Sequence, residues 1–122
     1  MKRNILNKKI LEIFTKHGLN KNHSKICTAA LINAELVGAY GHGLSRLRMY
    51  CERIKKKLIN PKPKIKIKKI SQSISHIDAD NSIGFVSADL AIKTAIKHAQ
   101  KTGIGMVAVK KSGHYGLSGY YA

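Results

Sequence analysis

The stretch Ile104-Gly105-Met106-Val107-Ala108-Val109, followed closely by Gly113-His114-Tyr115-Gly116, decides how the chain folds. A short, β-branched apolar run broken by a histidine between glycines predicts a buried strand that delivers an imidazole into a loop. Upstream, from about Gly84 to Thr102, the set Ala88, Ala91, Ile92, Ala95, Ile96 and Ala99 recurs at helical spacing, and Gly103 closes it. That face of small residues suits close packing on a sheet. Before it, Lys64-Ile65-Lys66-Ile67-Lys68 alternates with period two, as a half-exposed or edge strand does, its lysines discouraging edge pairing. Ser73 to Ile77 predicts a second strand, ended by the turn chemistry of Asp78-Ala79-Asp80-Asn81. The second half of the chain therefore reads β-β-α-β.

The first half reads as helices. Leu6, Ile10, Ile13 and Phe14 share a face over residues 4–17, with Gly18 as a natural C-cap. A second helix, capped by Asn20 or Asn22, runs to about Ala39 and carries Ile26, Ala29, Ala30, Ile32, Leu36 and Val37. A third begins near Leu44 and runs into Lys55-Lys56-Lys57, cations suited to the negative pole of its end. Asn60-Pro61-Lys62-Pro63 stops it, because proline cannot continue a helix and forces the preceding residue extended. This predicts an α/β architecture with a helical N-terminal subdomain over residues 1–60 and a mixed α/β part over 61–122.

Composition bounds the function. The 122 residues, 43% apolar, make at most one ordinary domain with a modest core. Lys and Arg total 23 against six acids, a net charge of +17 that raises the question of nucleic acid. Only Arg3, Arg46, Arg48 and Arg53 are arginine, the residue best matched to phosphate and base edges, and the lysines lie scattered without a nucleic-acid module around them. A small basic nucleic-acid-binding protein is the alternative reading; it requires tight binding with a steep salt dependence. Cys27 and Cys51 stand in separate predicted helices without a C-x-x-C pair, so neither a disulfide framework nor a metal site is expected and the cytoplasm is the simplest setting. The basic N-terminus lacks the apolar core of a signal peptide, and no run is long enough to span a bilayer.

Gly103-Ile104-Gly105-Met106-Val107-Ala108 fits the letters of a dinucleotide fingerprint, but it follows a helix and opens a strand, the reverse of what that motif needs, and a Rossmann reading is rejected. The better motif is Gly41-His42-Gly43-Leu44-Ser45-Arg46-Leu47. His42 is predicted just before a helix, where the dipole favours the neutral imidazole and attracts an anion, and Arg46, four residues on, offers a fork matched to a carboxylate. With His114 brought alongside, the three groups suit proton transfer on a small acid. The remaining histidines, His17, His23, His76 and His98, fall at helix ends or exposed strand positions and read as ordinary.

Those residues resemble a known family. Gly41-His42-Gly43-Leu44-Ser45-Arg46-Leu47 is similar to the S-H-G-x-x-R-L segment of the type-2 malate/L-lactate dehydrogenases, whose relatives include sulfolactate and ureidoglycolate dehydrogenases. Asn60-Pro61-Lys62-Pro63, Asp78-Ala79-Asp80-Asn81-Ser82-Ile83-Gly84 and Ser112-Gly113-His114-Tyr115-Gly116-Leu117-Ser118-Gly119-Tyr120-Tyr121-Ala122 look like its later landmarks, in order and at compatible spacing. The resemblance implies an L-sulfolactate dehydrogenase-like, non-Rossmann fold and an NAD- or NADP-dependent oxidoreductase of small 2-hydroxy and 2-oxo acids. It also implies a homodimer with neither a specific nucleic acid nor a membrane as partner. It puts His42 and His114 at the substrate, one as acid/base and one holding the substrate oxygen, in an order left open, with Arg46 on the carboxylate. Gly41 departs from the family's Ser and removes a hydroxyl. Family members are far longer, so the chain is expected to be their N-terminal portion, with most cofactor-binding residues beyond Ala122 and negligible turnover in isolation.

Overall fold

The computed structural model describes residues 2–122. Helix α1 (Arg3–Lys16) and helix α2 (Lys21–Leu36) pack as a pair, turned at Gly18, whose φ of +96° a glycine adopts without strain. Asn20 caps α2, its side chain accepting from the His23 amide at 2.8 Å, a contact worth about 1 kcal/mol. The helix ends at Leu36, three residues before the expected Ala39.

The third helix also departs from expectation. Instead of one helix from Leu44, two short 3-10 turns, Tyr40–His42 and Leu44–Arg46, precede helix α3 (Leu47–Lys55). Side chains hold this tighter winding. The Glu35 carboxylate accepts the Leu44 amide at 2.6 Å, Ser45 Oγ donates to the Tyr40 carbonyl at 2.7 Å, and Arg46 Nε donates to the Gly41 carbonyl at 2.7 Å.

Strands β1 (Lys66–Lys69), β2 (Ile74–Ser82) and β3 (Met106–Ser112) form a three-stranded sheet in that order. β1 runs antiparallel to β2, and β3 lies parallel to β2 after the crossover helix α4 (Gly84–Thr102). The β-β-α-β order is as the sequence predicts, with two differences. Asp78–Asn81 does not end the second strand: β2 runs through it on a bulge, with Asp80 and Asn81 at φ +51° and +55° and the register to β3 shifted between Asp78 and Ser82. The alternating lysine strand is the edge strand that the sequence allows for, exposed at all four positions. And β3, expected to be buried, is largely exposed, with Met106 at 57%, since it forms the opposite edge and α4 covers one face only.

The core lies between the helical half and the base of α4. Ile10, Phe14, Cys27, Leu31, Tyr50 and Ile54 meet Ile83, Phe85 and Val86 in one buried cluster. The Asn60–Pro63 stretch is tied to the bulge: the Asn60 amide donates to the Asn81 carbonyl at 2.8 Å, and Asp80 Oδ2 accepts from Asn60 Nδ2 at 3.0 Å and from the Lys64 amide at 2.9 Å. No helix among the described residues is long and apolar enough to cross a membrane.

Candidate active site

The bulged end of β2 and the loop after β3 bring the two glycine-flanked histidines together. Ser82 ends β2, and Ile83 and Gly84 lead into α4. Gly84 has no room for a side chain, since a Cβ there would overlap the backbone of Gly113 and His114. The loop carrying His114 is thus seated directly on the start of α4. Gly116, at φ +82°, turns the chain back, and a side chain there would meet the Phe85 ring.

From the helical side, the 3-10 turns hold His42 and Arg46. The His42 and His114 rings lie parallel, 2° apart in plane, with centroids 5.9 Å apart. Rings 72 positions apart in the chain therefore lie face to face, although of the two only His114 lines the adjoining cleft. Arg46 lines a cleft of about 240 Å³ with His114, Met49, Tyr50, Arg53 and Ile59. The dipole expected to act on His42 is absent, because His42 ends a 3-10 turn and α3 starts only at Leu47. Its Nδ1 is buried and has no hydrogen-bond partner among the described residues.

Partial burial, with smaller contributions from His42 and Arg46, holds the His114 imidazolium below the ordinary histidine range, so the ring stays neutral near pH 7. Sequence reasoning missed two residues here. Tyr50 Oη lies 3.0 Å from His114 Nδ1, while its own ring packs edge-on against Phe85 with centroids 5.0 Å apart. Burial pushes its hydroxyl up to about 12, so it keeps its proton. Arg53 is a second guanidinium on the cleft. The only signal for either was helical spacing from Arg46, by one turn to Tyr50 and two to Arg53. The other histidines lie elsewhere: His17 Nδ1 is 2.8 Å from the Ile13 carbonyl, and His98 Nε2 is 2.8 Å from Ser75 Oγ, pinning α4 to β2. Cys27 and Cys51 are buried and unpaired.

The cleft offers the Arg46 and Arg53 guanidiniums, chemically suited to a carboxylate, the His114 imidazole with His42 stacked on it, and an apolar wall from Met49 and Ile59. The family model described as malate/L-lactate dehydrogenase matches residues 1–122. The malate dehydrogenase of Pyrococcus abyssi is 42% identical over 113 residues, which cover 93% of this chain and 31% of that protein. The L-sulfolactate dehydrogenase of Methanocaldococcus jannaschii is 37% identical over 94% of this chain and 33% of its own length. The solved structure of the M. jannaschii enzyme superposes with a TM-score of 0.95 at 36% identity, covering 99% of this chain and 35% of that one. The ureidoglycolate dehydrogenase (NAD(+)) of Escherichia coli is 32% identical over 85% of this chain. The chain spans about a third of the length of the relatives it matches.

Proposed function

This chain belongs to the malate/L-lactate dehydrogenase family, and from that premise we propose that it supplies the substrate-handling part of an NAD(P)-dependent oxidoreductase that interconverts small 2-hydroxy and 2-oxo acids. The observation that carries the reading is the stacked pair His42 and His114, 5.9 Å apart, with Arg46 lining the cleft beside His114. Oxidising a 2-hydroxy acid removes a hydride from C2 and a proton from its hydroxyl, leaving a 2-oxo acid. Arg46 would hold the carboxylate, fixing the acid's orientation. One imidazole takes the hydroxyl proton while the other hydrogen-bonds the oxygen as its bond to C2 becomes double.

A nicotinamide cofactor, NAD or NADP, supplies the hydride acceptor in such a reaction. A groove of about 510 Å³ between α4 and β3, lined by Gly84, Ser87, Ala91, Val107, Gly113 and Tyr115 among others, has no charged lining residue. The groove supplies no cation for a dinucleotide's diphosphate, only the first turn of α4 at Gly84 and Ser87, and does not by itself account for the whole cofactor. Its binding residues are expected mostly in the regions of the relatives that this chain does not span. The same reading expects a homodimer, a small 2-hydroxy or 2-oxo acid as ligand, no specific nucleic acid, no membrane, and a cytoplasmic setting.

The test is NAD(P)H-linked reduction of 2-oxo acids by a chimera in which this chain replaces the matching third of the P. abyssi malate dehydrogenase. Turnover is expected, with His42→Ala and His114→Ala each lowering it, and the one that removes the acid/base lowering it by about 10²–10⁴-fold. The 122-residue chain alone is expected to turn over negligibly. Near-normal rates in both His42→Ala and His114→Ala would end the assignment.

A further inference from the structure

The two imidazoles are not held alike. His114 Nδ1 receives the Gly116 backbone N–H at 3.1 Å and lies 3.0 Å from Tyr50 Oη. An amide N–H can only donate, so Nδ1 has to present its lone pair and cannot carry a proton there. Tyr50, which keeps its own proton, donates toward the same lone pair. A neutral imidazole carries one N–H, and with Nδ1 excluded it must sit on Nε2. Adding a second proton would set Nδ1–H against an amide N–H that cannot turn away. The titratable and charged groups facing the ring add no anion that would offset this: stacked His42, the Arg46 and Arg53 guanidiniums of the cleft, the neutral Tyr50 phenol and Tyr115, whose ring centroid is 6.2 Å away. His42 is the opposite case. Its buried Nδ1 has no partner among the described residues, so neither tautomer is imposed on it.

We propose that Tyr50 is a positioning residue: together with the Gly116 amide it locks His114 as the neutral Nε2–H tautomer, so that this ring, which lines the cleft, presents a hydrogen-bond donor to an acid bound there. The last clause rests on the dehydrogenase reading; the tautomer does not.

Long-range 1H–15N correlation NMR on this chain with 15N-labelled histidine reads the tautomer directly, His114 being identified by its loss in His114→Gln. The expected spectrum has a pyridine-like Nδ1, a protonated Nε2, and a titration midpoint below the ordinary value of about 6.5. Tyr50→Phe keeps the ring against Phe85 and removes only the hydroxyl. The His114 Nδ1 resonance should then shift and the midpoint rise, while His17 and His98, bonded elsewhere, report an intact fold. A protonated Nδ1 in the unaltered chain overturns the proposal whatever Tyr50→Phe does, as does a His114 signal indifferent to Tyr50→Phe in a folded protein. No substrate is present, so failure here leaves the dehydrogenase reading standing, and failure of the chimera leaves the tautomer standing.

Discussion

A methyl group at Gly84 would run into the carbonyl oxygens of Gly113 and His114, so Gly84→Ala is expected to lower stability by about 1–3 kcal/mol and displace the imidazole. Thermal or urea unfolding checks the first effect, and the His114 NMR signal the second. The imidazoles also predict a pH response. Burial lowers His23, and burial with its cationic neighbours lowers His114, so the unfolded chain binds protons at higher pH than the folded one. Their contribution to stability is complete above the unfolded value of about 6.5 and is lost as pH falls through the folded values. Urea midpoints at pH 8 and pH 5.5 should differ in that direction, and His23→Gln with His114→Gln should flatten the slope. At this scale the sequence was partly legible. His42, Arg46 and His114 could be singled out because glycine-flanked histidines and an arginine at fixed spacing carry their chemistry locally. Tyr50 could not, because its partner is 64 residues away and nothing short of the fold brings them together.

Among the elements, α4 was read from Gly84 to Thr102 as the structure has it, because its small-residue periodicity and terminal glycine are local signals. The error at Leu44 had a non-local cause: Glu35, on the preceding helix, reaches over to accept the Leu44 amide and winds the chain into 3-10 turns. Glu35→Ala should therefore loosen the segment bearing His42 and Arg46. The expected cost is about 1–3 kcal/mol in unfolding free energy, the range for a lost charge-assisted bond, with faster amide exchange at Leu44. The misreading of Asp78–Asn81 has a similar origin. Asp80 and Asn81 do take turn-like positive φ, but the strand resumes because Asp80 gathers Asn60 and the Lys64 amide from across the sheet. Asp80→Ala should accordingly destabilise the chain and expose the Asn60–Pro63 stretch to protease, which limited proteolysis would detect.

Over the whole molecule, the prolines at 61 and 63 predict a boundary between subdomains near residue 60, where the chain is also hydrogen-bonded to the end of β2 and flanked by a buried cluster that draws on both sides. Phe85→Ala, deleting the ring between Tyr50 and Gly116, should cost about 3–5 kcal/mol and unfold both halves in a single transition. Burial of β3 was not legible, since an apolar run has the same letters in the middle of a sheet as at its edge. The lysine excess is likewise a matter of surface. It predicts weak, sequence-indifferent capture of polyanions in dilute buffer that fades toward physiological salt, unlike the tight binding a dedicated nucleic-acid protein would show. The seating of Gly116 on Phe85 has a further consequence for how such a protein can change over generations. The aromatic plug that stabilises the chain also seats the loop bearing His114, so substitutions there alter durability and the placement of that imidazole together, and a lineage can change this hinge point only by compensating at several neighbours together.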